Sequence, residues 1–165
     1  MLVLHYLCTE IMMLELHHVT IGSQVHDLSL TVDAGQLVCL TGAQGSGKTT
    51  LIRAVMGFIP VDGGHICIDG ELLTPQSAYY FRRQMAYVPQ RLSLPDGYTE
   101  VNTDYLWLLN KAVNSDKPLL IIDEPQNTLP TDECWEVDRL LIEAARQGKT
   151  LLAVNDRITQ NQIRL

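Results

Sequence analysis

The sequence predicts an α/β fold: a parallel sheet flanked by helices, with a small antiparallel β unit at its N-terminal side. Three observations carry this. Short apolar runs at residues 36–41 (QLVCLT), 119–122 (LLII) and Thr150–Val154 (TLLAV) have the near-continuous hydrophobicity of strands buried on both faces. Helical patterns separate them, above all Thr131–Arg146, with Val137, Leu140, Leu141 and Ala144 on one side. The front of the chain, residues 14–20 and 28–32, instead alternates apolar with polar residues, as half-buried strands do.

The remaining elements follow in order. Asp33, Ala34 and Gly35 form a turn into the first buried strand, and a glycine-rich loop leaves it. Residues 49–56 (TTLIRAVM) are helical in composition and stop at Gly57. A turn at 60–64 precedes an alternating strand at 65–69 (HICID). Residues 75–84 read as a short helix with Pro75 at its start, leading into a strand at Met85–Val88. Residues 103–113 carry Leu106, Leu109 and Val113 at helical spacing. The long helix at Thr131–Arg146 opens with Thr131 as its expected cap and with Asp132 and Glu133 in the first turn.

A chain of 165 residues is expected to form one domain. Residues 1–12 read as an N-terminal extension and 13–165 as a single domain. The tandem Met12-Met13, directly before a strand, suggests a second possible start, and residues 1–11 lack the basic flank of a signal peptide. No stretch approaches the roughly 20 apolar residues that span a bilayer. The net charge of -7, with no basic run longer than Arg82-Arg83, argues against nucleic acid as a partner. Cys8, Cys39, Cys67 and Cys134 show no paired spacing, so reduced thiols are expected rather than metal ligands or a disulfide framework. Cys39, inside an apolar run, reads as a small buried hydrophobe.

The loop Gly42-Ala43-Gln44-Gly45-Ser46-Gly47-Lys48-Thr49-Thr50 fits GxxxxGK[ST], the P-loop pattern. Gly42, Gly45 and Gly47 let backbone N–H groups line a phosphate nest that side chains would obstruct. Lys48 adds charge near the β- and γ-phosphates, Thr49 offers a hydroxyl to Mg2+, and the next helix directs its positive end at the same anion. A buried strand before the loop and a helix after it supply the context the motif requires. Residues 119–124 (LLIIDE) end a buried strand in two carboxylates. Taken alone, such an ending is usually a solvated strand exit. Beside a P-loop, Asp123 can reach the Mg2+ sphere and Glu124 can polarise a water as general base. The expected fold is therefore P-loop NTPase-like.

Together these segments resemble the ATP-binding subunit of ABC transporters. Residues 28–70 (LSLTVDAGQLVCLTGAQGSGKTTLIRAVMGFIPVDGGHICIDG) match that family closely, 85–90 (MAYVPQ) resemble its Q-loop, and 119–125 (LLIIDEP) its Walker B strand. The resemblance implies ATP and Mg2+ as cofactors, held by residues 42–50, with Thr49, Gln90 and Asp123 around the metal. It implies Glu124 and Gln90 as the catalytic pair. A membrane permease and a second ATP-binding subunit, in a homodimer or heterodimer, are the implied partners, at the cytoplasmic face of a membrane.

Several elements of the family are missing. LSGGQ occurs nowhere, and residues 91–118 are too few for the family's helical subdomain, so this cassette is degenerate and shortened. Pro130 stands where the D-loop aspartate is expected, Asp156 stands at the switch histidine, and Ile21-Gly22 occupy the position of the adenine-stacking aromatic. None of His17, His18 and His26 aligns with a family role, and they read as surface or strand histidines. Two functions fit: an ABC-type ATPase subunit with slow turnover, or a regulatory or structural nucleotide-binding protein without productive hydrolysis. A third, a small P-loop kinase, would need a lid arginine, for which Arg82, Arg83 or Arg91 are the nearby candidates.

Overall fold

The computed structural model describes residues 12–90, 105–123 and 129–165. Two sheets share the molecule. In the first, β1 (Leu14–Ile21) lies between β2 (Val25–Val32) and β4 (Gly63–Ile68), with the short β5 (Glu71–Leu72) outermost, all antiparallel. The second is parallel, in the order β6 (Met85–Val88), β7 (Leu119–Asp123), β8 (Thr150–Val154), β3 (Leu37–Thr41), β9 (Gln162–Arg164). This is the architecture expected from the sequence.

Period-two alternation explains why the central strands are apolar throughout. Val38 and Leu40 of β3, Leu119 and Ile121 of β7, and Leu152 and Val154 of β8 face one core, together with the antiparallel sheet and helix α1 (Lys48–Val55). Their neighbours Leu37, Cys39, Leu120, Ile122, Leu151 and Ala153 face a second core under α3 (Tyr105–Val113) and α4 (Thr131–Arg146). A strand with helices or sheet on both sides has no solvated face to mark with polar residues. Met12, buried at the edge of the first core, accepts a hydrogen bond on its carbonyl from Thr150. Residues 1–11 lie outside the described residues, and with them the question of the chain start.

Four details depart from expectation. The helix expected at 75–84 is only α2 (Ala78–Arg82), because Thr74 and Ser77 hydrogen bond each other's backbone N–H and hold a turn in place of the first helical residues. Pro130, not Thr131, is the N-cap of α4; Thr131 is the first helical residue and makes no capping bond. The strands β5 and β9 were not anticipated. β9 pairs with β3 through Cys39–Gln162, Leu40–Ile163 and Thr41–Arg164, at the sheet's edge. Among the described residues, no helix is long and apolar enough to cross a membrane.

Gly64 marks a close approach. Its φ is +70°, and a Cβ there would overlap the carbonyl oxygens of His17 and His18, where the β1–β4 register slips between His17 and Thr20. Both the backbone conformation and the contact require glycine. Gly64→Ala is expected to cost about 3 kcal/mol or more, lowering the melting temperature by roughly 6 °C or more. Differential scanning calorimetry checks this, and an unchanged melting temperature would contradict it.

Candidate functional site

The parallel strands all end at one rim, and the loop between β3 and α1 sits on it. Gly47 serves as N-cap of α1 at φ +100°, and a Cβ there would press against Gln24 and Val25 at 3.0 Å, so the loop can close on the β1–β2 turn only with glycine. Gln24 in that turn donates to the Gly45 carbonyl at 3.1 Å and accepts from Thr50 Oγ1 at 2.8 Å. The antiparallel sheet is thereby tied to the middle of the loop and to its C-terminal end.

Lys48 is buried, and its Nζ donates to the carbonyls of Gly42 (2.5 Å) and Ala43 (2.8 Å). The side chain thus curls back over the loop with its charge inside the hollow the loop encloses. Thr49 Oγ1 donates to Asp123 Oδ2 at 3.1 Å, joining the loop to the end of β7. Asp123 is buried, and burial pushes its carboxyl above the ordinary value of 3.8, opposed by the Thr49 hydrogen bond and by the charges of Arg53 and Lys48. A carboxylate held beside a hydroxyl, at a place that disfavours its own charge, suits a divalent cation, which would restore the ionised form.

These groups surround one cavity of about 420 Å³, lined mainly by polar groups that include Gln24, Gln44, Lys48, Thr49, Gln90 and Asp123. The volume falls within the roughly 300–1,000 Å³ usual for small-molecule sites. Backbone amides, one ammonium, hydroxyls and one carboxylate form the donor set of a metal-bound polyphosphate, so the residues present fit Mg-ATP. Gln90, half-buried beyond β6, is brought to the same cavity as the loop. Glu124 lies outside the described residues, as do Asn127, Thr128 and Arg91.

Other expectations resolve differently. Asp156 is exposed and is not part of the cavity wall. Asn155 explains why: it is buried, donates to Asp138, and accepts from the backbone N–H groups of Arg157 and Ile158, a tight turn that sends Asp156 outward. Arg82 is no lid arginine. It donates to the Met56 carbonyl at the end of α1 and stacks over Phe58. The site also holds a residue the sequence does not announce, Gln24, and Arg53 lies near enough for its charge to act on Asp123. No motif flags Gln24; only its position in the β1–β2 turn brings it to the loop.

The family profile described as ABC transporter matches residues 25–112, more than half of the chain. The chain belongs to the ABC transporter family. Within that family it corresponds to the ATP-binding subunit. It is 28% identical over 182 aligned positions to the ATP-dependent lipid A-core flippase of Ralstonia nicotianae, covering 80% of this chain and 31% of the flippase. It is 26% identical to the vitamin B12 import ATP-binding protein BtuD of Yersinia pseudotuberculosis, covering 86% of this chain and 75% of BtuD. That alignment runs over 190 positions, more than the chain's own 165 residues, so it opens gaps in this chain, in keeping with a shortened cassette. The fold matches a solved ATP-binding subunit of an ABC transporter with a TM-score of 0.75 at 21% identity, over 93% of this chain and 85% of the other. The chain spans under a third of the flippase, and only 9% of the ABC multidrug transporter lscH of Purpureocillium lilacinum, which it matches at 28% identity over 87% of its own length.

Proposed function

We propose that this ABC-type ATP-binding subunit binds Mg-ATP in the cavity between the 42–50 loop and the end of β7, and turns it over slowly. The observation that carries this is the hydrogen bond from Thr49 to Asp123, which brings a hydroxyl and a carboxylate together in the cavity that Lys48 and Gln90 also line, as a metal site would require. Backbone N–H groups of residues 42–50 would hold the phosphates, and Lys48 would exchange its loop carbonyls for phosphate oxygens. Thr49, Asp123 and Gln90 would hold Mg2+, which when bound neutralises charge on the transferred phosphoryl group. Glu124, next after the end of β7, would take the proton of the attacking water, oriented by Gln90.

Slow turnover follows from what the chain does not supply. It carries neither an LSGGQ segment nor a switch histidine, and each absent donor to the developing charge costs about 10²–10³ in rate. Binding without hydrolysis is the second reading, favoured by Asp156, an exposed anion where the switch histidine is expected. A membrane permease and a second ATP-binding subunit, with this chain at the cytoplasmic face, complete the proposed setting. A turnover assay on Glu124→Gln separates the readings. Phosphate release by the wild type that falls at least about 10²-fold in the variant, a typical general-base effect, supports catalysis. Wild type and variant equally inert, with ATP binding intact in both, supports the binding-only reading.

A further inference from the structure

The antiparallel sheet carries a second constellation, on the face turned away from the core. In the β1–β4 register Glu15 lies opposite Cys67 and His17 opposite His65, so four side chains able to ligate a metal occupy the corners of one cross-strand rectangle. Their neighbours Leu14, Leu16, Ile66 and Ile68 are buried, which fixes these four outward. One ligand atom each from His17, His65 and Cys67 lies within 4.8 Å of the others, and the two imidazoles stack at 4.7 Å between centroids. Glu15 Oε1 lies 3.8 Å from His17 Nε2.

We propose that His17, His65 and Cys67, with Glu15 or a water as fourth ligand, form a zinc-binding site that clips β1 to β4. Ligand chemistry selects the ion. Two imidazoles and a thiolate suit a borderline-soft, tetrahedral divalent cation such as Zn2+, and not Mg2+ or Ca2+, which prefer oxygen. Distances of about 2.0–2.3 Å to a tetrahedral zinc put ligand atoms roughly 3.4–3.8 Å apart. Only His17 and His65 are directly opposed, with Cβ atoms about 4.5–5.5 Å apart; Cys67 is diagonal to His17, yet its ligand atom already lies within 4.8 Å of both histidines, so side-chain movements of about 1 Å close the gap. The adjacent strands add no charge opposite the group: Thr31 lies opposite Glu15 on β2, and Leu72 opposite Cys67 on β5, while Asp69, two residues beyond Cys67, accepts from the Met13 N–H.

Burial and the nearby Glu15 charge push the Cys67 thiol above its ordinary value of 9.0. Without a cation the thiol therefore stays protonated, and binding must expel that proton to form the metal–thiolate bond. Each cation bound therefore releases that proton, and affinity should rise with pH. The constellation is separate from the nucleotide cavity, whose walls include none of the four residues.

The test uses the full chain, nucleotide-free and reduced with a phosphine, titrated with Co2+ as spectroscopic probe and then with Zn2+. One equivalent of Co2+ should give tetrahedral visible bands and a thiolate charge-transfer band, and Zn2+ should displace it. Cys67→Ser should abolish the charge-transfer band, and His65→Ala should weaken Zn2+ binding at least tenfold. Both residues are at least partly exposed, so neither substitution threatens folding, and a retained circular-dichroism spectrum checks that. A wild type without the bands overturns the proposal, as does an undiminished band in Cys67→Ser, which would place the thiolate elsewhere.

Discussion

Lys48→Ala is expected to weaken ATP binding about 100-fold or more. Its ammonium is buried in the hollow of the loop, already donating to two carbonyls, so it can turn to phosphate oxygens with little reorganisation. A hydrogen bond to a charged group contributes about 1.5–3 kcal/mol, and two such bonds to phosphate exceed about 3 kcal/mol, or two decades in Kd. Isothermal titration with Mg-ATP measures the loss. Apo stability should change much less, because the freed carbonyls lie at a loop open to water. A variant that binds ATP within a few-fold of the wild type would contradict the role assigned to Lys48.

Asp123→Asn is expected to have two opposite effects. The carboxyl is raised above 3.8 by burial, so the folded state holds its proton more tightly than the unfolded chain does. Stability from this group is greatest below that value and is lost as pH rises through the raised one. Above the raised value the group is therefore a cost to the nucleotide-free fold. Asparagine removes the charge while its carbonyl still accepts from Thr49, so the apo melting temperature should rise. The Mg2+-dependent part of ATP binding should be much reduced, since the asparagine oxygen lacks the carboxylate's negative charge toward the cation. In the wild type that Mg2+-dependent part should fall on acidification toward the raised carboxyl pKa. ATP's own phosphate also titrates, near pH 6, so the quantity to compare is the difference between wild type and variant. A variant that is less stable without nucleotide and retains its Mg2+ dependence would count against Asp123 as the ligand.

Stability and function pull against each other at this residue, and that tension was partly visible in the sequence. A run of four apolar residues ending in Asp123 is legible because two-sided burial leaves no polar position to confuse the pattern. The same holds for residues 36–41 and 150–154. Legibility fades where one side chain or one bond decides. β9 is three residues, Gln-Ile-Arg, with only Ile163 turned toward the core, too little for any period to register. The start of α2 depends on mutual hydrogen bonds between Thr74 and Ser77, which compete with the helical pattern locally.

Long-range register hides more. Gln24 meets the loop only because β1 and β2 turn back beside it, and nothing in the local sequence marks it. Likewise His17 and Cys67 are remote in sequence, and their spacing argues against metal binding until the β1–β4 pairing is known. The P-loop was readable for the converse reason: its chemistry is made by consecutive residues, so sequence neighbours are also neighbours in space.

A thermal-shift titration of the wild-type chain, comparing Mg-ATP with Mg-AMP, tests the grip on a polyphosphate most directly. At a hundredfold excess over Kd, Mg-ATP should stabilise the fold by about 2.7 kcal/mol, or roughly 5–10 °C, while AMP, lacking the β- and γ-phosphates, should shift it little. An equal shift with both nucleotides, or none with either, would contradict the account.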